Sequence, residues 1–101
     1  MLQLNKSNFN EEIKKGKVVI DLWAEWCSPC RGMAPIFEAL SKEMKDVKFA
    51  KLNVDENQEI ASKLRVMSIP TFLIFKDGKE VERVIGSMSK DALKSKIESA
   101  K

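Results

Sequence analysis

Short apolar runs and longer helical stripes alternate along the 101-residue chain. Runs rich in β-branched and aromatic residues predict buried strands from Val18 to Trp23 and from Thr71 to Phe75. Weaker alternation predicts two more strands, from Val47 to Asn53 and from Glu80 to Ile85. Leu2 to Leu4 is a further candidate strand at the start of the chain.

Apolar residues spaced three or four apart predict helices between these strands. A short helix follows Asn8, whose side chain we expect to cap it, and ends at Gly16. The longest helix is predicted from about Cys30 to Met44, and a shorter one from Gln58 to Leu64. Ser89 is placed to cap the last helix.

Strands that alternate with helices indicate an α/β fold, with one sheet covered on both faces. Asp77-Gly78 is a tight-turn signal, so the last two strands should form an antiparallel hairpin. We find no linker or repeat and expect one domain over residues 1–101. Such a sheet carries its reactive loops at the carboxyl ends of its strands.

Composition excludes several classes of function. The 18 basic and 15 acidic residues are interspersed, so no basic stripe favours nucleic-acid binding. No apolar stretch is long enough to cross a bilayer, and the first residues, Met1 to Lys6, do not resemble a signal peptide. We therefore expect a cytoplasmic protein, where structural disulfides are rare.

The two cysteines of the chain, Cys27 and Cys30, are separated by Ser28 and Pro29. They follow a predicted strand and begin a predicted helix, where unpaired N–H groups and the helix dipole favour a thiolate. Cys27 comes first and should be nearer the solvent, so it is the better nucleophile, with Cys30 as the shielded resolving thiol. This arrangement predicts thiol–disulfide exchange.

Other interpretations of the cysteine pair are weaker. A zinc or iron–sulfur site normally needs four soft or imidazole ligands, and the chain offers two cysteines and no histidine. A structural disulfide would need an oxidising compartment. We expect neither a metal nor a cofactor.

Asp21 interrupts a strand that should be buried. Burial should raise the pKa of its carboxyl group, which could then accept the proton of Cys30. The alternative is that Asp21 faces solvent at the strand end. Lys51, on a strand predicted to be adjacent, is either the partner of Asp21 or simply exposed.

The chain resembles the thioredoxin family along nearly its whole length, because several linked motifs occur in the family's order. The matching segments are Val19 to Cys30, Ala50 to Asp55, Ser68 to Phe75 and Lys76-Asp77-Gly78.

The resemblance implies a thioredoxin fold, with a central mixed sheet of about five strands flanked by four helices. It implies Cys27 as the nucleophile, Cys30 as the resolving thiol, Asp21 as the buried acid and Lys51 as the lysine near it. It places Pro70 as the cis-proline that faces the disulfide, which frees the backbone of Ile69 to pair with an extended peptide. The residues implied to contact substrates are Trp26, Ser28, Pro29, Met67, Ile69, Pro70 and Gly86.

Ser28 departs from the glycine usual in the family, and Met67 and Ser68 also differ from the commoner residues. A serine hydroxyl that donates to the Cys27 thiolate would make the protein modestly less reducing. The departures before Pro70 affect the choice of reductase and of client proteins.

We therefore expect a monomeric protein-disulfide reductase that acts on disulfides of client proteins and is recharged by a separate thioredoxin reductase. Alternatives are a more oxidising, isomerase-type domain and a non-catalytic binding subunit of the same fold. A glutaredoxin is disfavoured because no feature marks a glutathione pocket.

Overall fold

The computed structural model describes all 101 residues and contains one mixed sheet with helices on both faces. This architecture confirms the predicted α/β fold. The strands are β1 (Leu2–Gln3), β2 (Lys17–Trp23), β3 (Lys48–Asn53), β4 (Thr71–Lys76) and β5 (Lys79–Ile85). The helices are α1 (Phe9–Glu12), α2 (Ser28–Glu43), α3 (Gln58–Lys63) and α4 (Lys90–Ser99).

Strand β2 lies in the middle of the sheet, in the order β1-β3-β2-β4-β5. It runs parallel to β3 and antiparallel to β4, and residues 18–22 are buried. A strand covered on both faces needs apolar side chains at nearly every position, which explains the apolar run from Val18 to Trp23 that only Asp21 interrupts. The carboxyl end of β2 lies beside the carboxyl end of β3 and the amino end of β4.

Side chains at alternate positions of the strands lie on opposite faces of the sheet and belong to two separate hydrophobic cores. On one face, α2 and α4 pack over the sheet, and the ring of Phe37 lies 5.1 Å from that of Phe49 and 5.8 Å from that of Phe72. On the other face, α1 and α3 cover Ile20, Leu73 and their neighbours. Asp21 has the same strand parity as Val19, so it points to the face covered by α2.

Two predicted helix starts need correction. Helix α2 begins at Ser28 instead of near Cys30, because Cys27 is its N-cap and proline suits the first turn. The side chain of Asn8 does not cap α1; its Oδ1 accepts a hydrogen bond from the N–H of Asn5 instead. Ser89 does cap α4, since its hydroxyl accepts from the N–H of Ala92 at 3.1 Å.

The two edges of the sheet are short or charged. Strand β1 has only two residues. Strand β5 carries Lys79, Glu80, Glu82 and Arg83, and its pairing with β4 is irregular at Ile74 and Phe75. Among the helices, none has both the length and the apolar character that crossing a membrane would require.

Candidate active site

Cys27 and Cys30 lie between the end of β2 and the first turn of α2, where they are joined as a disulfide. Their Cα atoms are 5.2 Å apart, within the range for bonded cysteines. The sulfur of Cys27 accepts a hydrogen bond from the backbone N–H of Cys30 at 3.2 Å. The same N–H would stabilise negative charge on this sulfur once the disulfide opens.

Solvent exposure hardly distinguishes the two cysteines, contrary to the expectation that Cys27 would be nearer the solvent. Cys27 is 3% exposed and Cys30 is 2% exposed. They differ in what they face: Cys27 lines a surface groove and Cys30 does not. A reacting partner in the groove would therefore meet Cys27 first.

The groove has a volume of about 520 Å³ and is mainly apolar. It lies between the cysteine loop, the end of β3, α3 and the loop before β4. Of the residues implied to contact substrates, Pro70 and Gly86 do not line it. The lining residues are Trp26, Cys27, Ser28, Pro29, Val54, Ala61, Val66, Met67, Ser68 and Ile69.

Large apolar side chains are unusually exposed at this end of the molecule. Met67 is 93% exposed, Trp26 is 68% exposed, and Ile85 is 63% exposed at the end of β5. The indole N–H of Trp26 donates to the carboxylate of Asp55 at 2.9 Å, which fixes the ring at the rim of the groove. Exposed apolar groups around a concave site indicate a surface that binds other molecules.

Sequence reasoning missed several residues of this surface. Val54, Ala61 and Val66 line the groove but look like ordinary core residues in the sequence. The contact of Asp55 with Trp26 joins residues 29 positions apart and has no local signal. Ile85 had a usable signal, because it ends an edge strand directly before Gly86, whose φ is +97°.

The backbone of Ile69 has no backbone hydrogen-bond partner, although its neighbours are held firmly. The hydroxyl of Thr71 donates to Ser68 O at 2.6 Å, and the N–H of Gly86 donates to Pro70 O at 2.9 Å. The Ile69–Pro70 peptide bond is cis. Ile69 packs against the small cluster that contains Cys27 and Cys30, so a residue with an unpaired backbone N–H and C=O lies beside the disulfide.

Asp21 is fully buried, and neither of its carboxylate oxygens has a hydrogen-bond partner. Burial raises the pKa of this carboxyl group to about 6, and the positive charge of Lys51 opposes part of the rise. The group is therefore able to take up or release a proton near neutral pH.

Lys51 is the register partner of Asp21 on the adjacent strand, yet the two side chains form no ion pair. Instead, the ammonium group of Lys51 lies 4.6 Å from the centre of the Trp23 ring, in a cation–π contact. Lys51 thus acts on Asp21 through its charge alone. No group of three His, Cys, Asp or Glu side chains is arranged to hold a metal ion.

Comparison with known proteins shows which family the whole chain is similar to. The family model for thioredoxin matches residues 1–99. The chain is 45% identical to a thioredoxin of Bacillus subtilis, over 96% of this chain and 94% of that protein. It is 46% identical to a thioredoxin of Chlamydia caviae, over 89% of this chain and 88% of that protein.

Solved structures of two eukaryotic proteins have the same architecture. A structure of Plasmodium falciparum thioredoxin superposes with a TM-score of 0.92 at 35% identity, covering 97% of both chains. The oxidised mitochondrial thioredoxin 3 of Saccharomyces cerevisiae gives a TM-score of 0.90 at 38% identity, covering 97% of this chain and 93% of that one.

Proposed function

Because the chain belongs to the thioredoxin family, we propose a role in protein-disulfide reduction for each residue of its site. The protein is a thiol–disulfide oxidoreductase. The observation that carries the assignment of roles is the position of Cys27: its sulfur caps α2, accepts a backbone hydrogen bond and faces the groove.

In the first step, the Cys27 thiolate attacks one sulfur of a client disulfide. A Cys27–client mixed disulfide forms, and the other client sulfur leaves as a thiolate that takes up a proton. The N–H of Cys30 and the amino end of α2 lower the free energy of the attacking thiolate. Ser28 and Pro29 hold the two cysteines in one turn of helix, so the sulfurs stay close in both redox states.

In the second step, Cys30 attacks the Cys27 sulfur and releases the second client thiolate. The Cys30 thiol must first lose its proton, and we assign Asp21 as the acceptor, acting through a bridging water. A carboxylate with a pKa of about 6 is matched to this task at neutral pH. Lys51 keeps that pKa from rising further by placing a positive charge on the neighbouring strand.

Client proteins bind as extended segments along the groove. The unpaired N–H and C=O of Ile69 form strand-like hydrogen bonds with the client backbone next to Cys27. Trp26 and Met67 contact apolar client side chains from the two sides. Pro70 and Gly86 lie beyond the groove and hold the segment that presents Ile69.

Residues 1–101 work as one domain, since every element packs on the same sheet. We expect this domain to act as a monomer. After each cycle, a separate thioredoxin reductase returns two electrons to the Cys27–Cys30 disulfide. We place the protein in the cytoplasm, where reduced thiols are maintained.

Trapping tests the roles of the two cysteines. Reduced Cys30→Ser protein should accumulate a stable mixed disulfide through Cys27 with a model disulfide protein such as insulin, visible by non-reducing electrophoresis. The matched Cys27→Ser variant should give no such adduct. Equal trapping by both variants would refute the assignment, and a wild-type protein that reduces no insulin, together with a Cys30→Ser variant that traps none, would favour a role in binding alone.

A further inference from the structure

Helix α3, which packs Ile60 against the core, and the loop that follows it form one wall of the groove. The helix is six residues long, and Ala61 is its only buried residue. The loop leaving it supplies Val66, Met67, Ser68 and Ile69 to the groove. Val66 and Ile69 pack partly against the core, whereas Met67 is exposed, so the path of this loop also depends on how the carboxyl end of α3 is held.

The carboxyl end of α3 has an unfavourable local geometry. Arg65 follows the C-cap residue Leu64 with φ at +57°, a left-handed conformation that normally selects glycine or asparagine. The last carbonyl groups of a helix also lack partners within the helix. The N–H groups of Arg65 and Val66 close the turn on Ser62 O and Ala61 O, but the carbonyls of Leu64 and Arg65 have no backbone partner.

Arg83 of strand β5 provides a partner for both carbonyls. Its guanidinium donates to Leu64 O at 2.6 Å and to Arg65 O at 3.0 Å. The carboxylate of Glu80 accepts from the same guanidinium through both oxygens, each at 2.9 Å. The side chains of Arg83 and Glu80 are 28% and 31% exposed, so this bridge is partly shielded from water.

We propose that Arg83 is a positioning residue for client recognition, which holds the α3 terminus so that the loop presents the Ile69 backbone at the groove. A planar guanidinium that binds two consecutive carbonyls fixes both the place and the direction of the departing chain. Its positive charge also suits the negative end of a helix. This inference rests on the proposed pairing of Ile69 with the client.

The test compares protein and small-molecule disulfides. In Arg83→Ala, KM for insulin should rise about fivefold, equivalent to about 1 kcal/mol at 1.4 kcal/mol per factor of ten. Neither kcat nor the rate with a small aromatic disulfide should change, because a small disulfide does not need the Ile69 backbone. In Arg83→Lys, KM should return part of the way to the wild-type value, because lysine keeps the positive charge but lacks the planar guanidinium that binds both carbonyls.

Hydrogen exchange checks the positioning step independently of activity. The amides of Leu64, Arg65 and Val66 are hydrogen-bonded within this turn and should exchange faster in Arg83→Ala. Lys90→Ala is the matched control, because it removes an ion pair to Glu43 between α2 and α4, away from the loop. This control should leave both KM and the exchange of those amides unchanged.

An unchanged KM in Arg83→Ala would overturn the inference, as would a parallel loss of kcat and of small-disulfide activity. Unchanged exchange of the three amides would also overturn it. These results can be told apart from a failure of the proposed function. The trapping experiment with Cys30→Ser tests that function and is carried out with Arg83 intact.

Discussion

Replacing Asp21 by asparagine should raise the free energy of unfolding at neutral pH but not in acid. The pKa of Asp21 rises from 3.8 to about 6 on folding, so the folded state binds the proton more tightly than the unfolded state. Stability from this group is complete below pH 3.8 and is lost as the pH rises through about 6. Asparagine does not titrate, so the variant avoids that loss.

The magnitude follows from the difference in pKa. A difference of about two corresponds to about 3 kcal/mol, at 1.36 kcal/mol for each unit of pKa. The free energy of unfolding of the variant, relative to that of the wild type, should therefore increase by about 3 kcal/mol between pH 3 and pH 8. A buried amide without partners costs about 1 to 3 kcal/mol at every pH, which leaves a net gain of about 0 to 2 kcal/mol at pH 8.

Denaturant unfolding of the oxidised proteins at a series of pH values measures this difference, because contributions from the other groups cancel in the comparison. Asp46→Asn, at an exposed position, is the control and should track the wild type at every pH. A constant difference between Asp21→Asn and wild type would refute the reasoning. The same variant should slow release of a trapped client by at least about tenfold, because the proton acceptor is gone.

Three other substitutions test separate parts of the structure. Ser28→Gly should make the redox potential more negative, measured by equilibration with glutathione; an unchanged potential would show that Ser28 does not stabilise the thiolate. Phe37→Ala should lower the free energy of unfolding by about 3 to 5 kcal/mol, because the ring packs between Phe49 and Phe72; a loss below about 1 kcal/mol would contradict that packing. Ser89→Ala should cost about 1 kcal/mol by removing the cap of α4, whereas Ser89→Asp should retain stability in the same melts.

The sequence was sufficient to predict features that depend on neighbouring residues. The apolar run before Lys76 and the Asp77-Gly78 turn specify the β4–β5 hairpin locally. The two cysteines and the preceding strand specify where the disulfide lies. Asp21 could be recognised because a carboxylate inside an apolar run has few structural explanations.

Features that depend on distant contacts were not predictable. Nothing near Arg83 indicates that its guanidinium reaches Leu64 and Arg65, because the contact arises only when β5 and α3 meet. The sequence allows Lys51 to pair with Asp21, but side-chain packing places its ammonium group over the Trp23 ring instead. The nearly equal burial of Cys27 and Cys30 likewise follows from residues folded over them.

The short β1 and the charged, irregular β5 have a consequence for a protein that handles extended chains. A regular apolar rim would add foreign strands indiscriminately and seed self-association. Both sheet edges bind a foreign strand poorly, because β1 has only two residues and β5 carries lysine, glutamate and arginine. An extended client chain can then pair only with the free backbone of Ile69 beside Cys27 and Cys30. Client binding and disulfide exchange therefore occur at the same place, and the sheet edges do not promote aggregation.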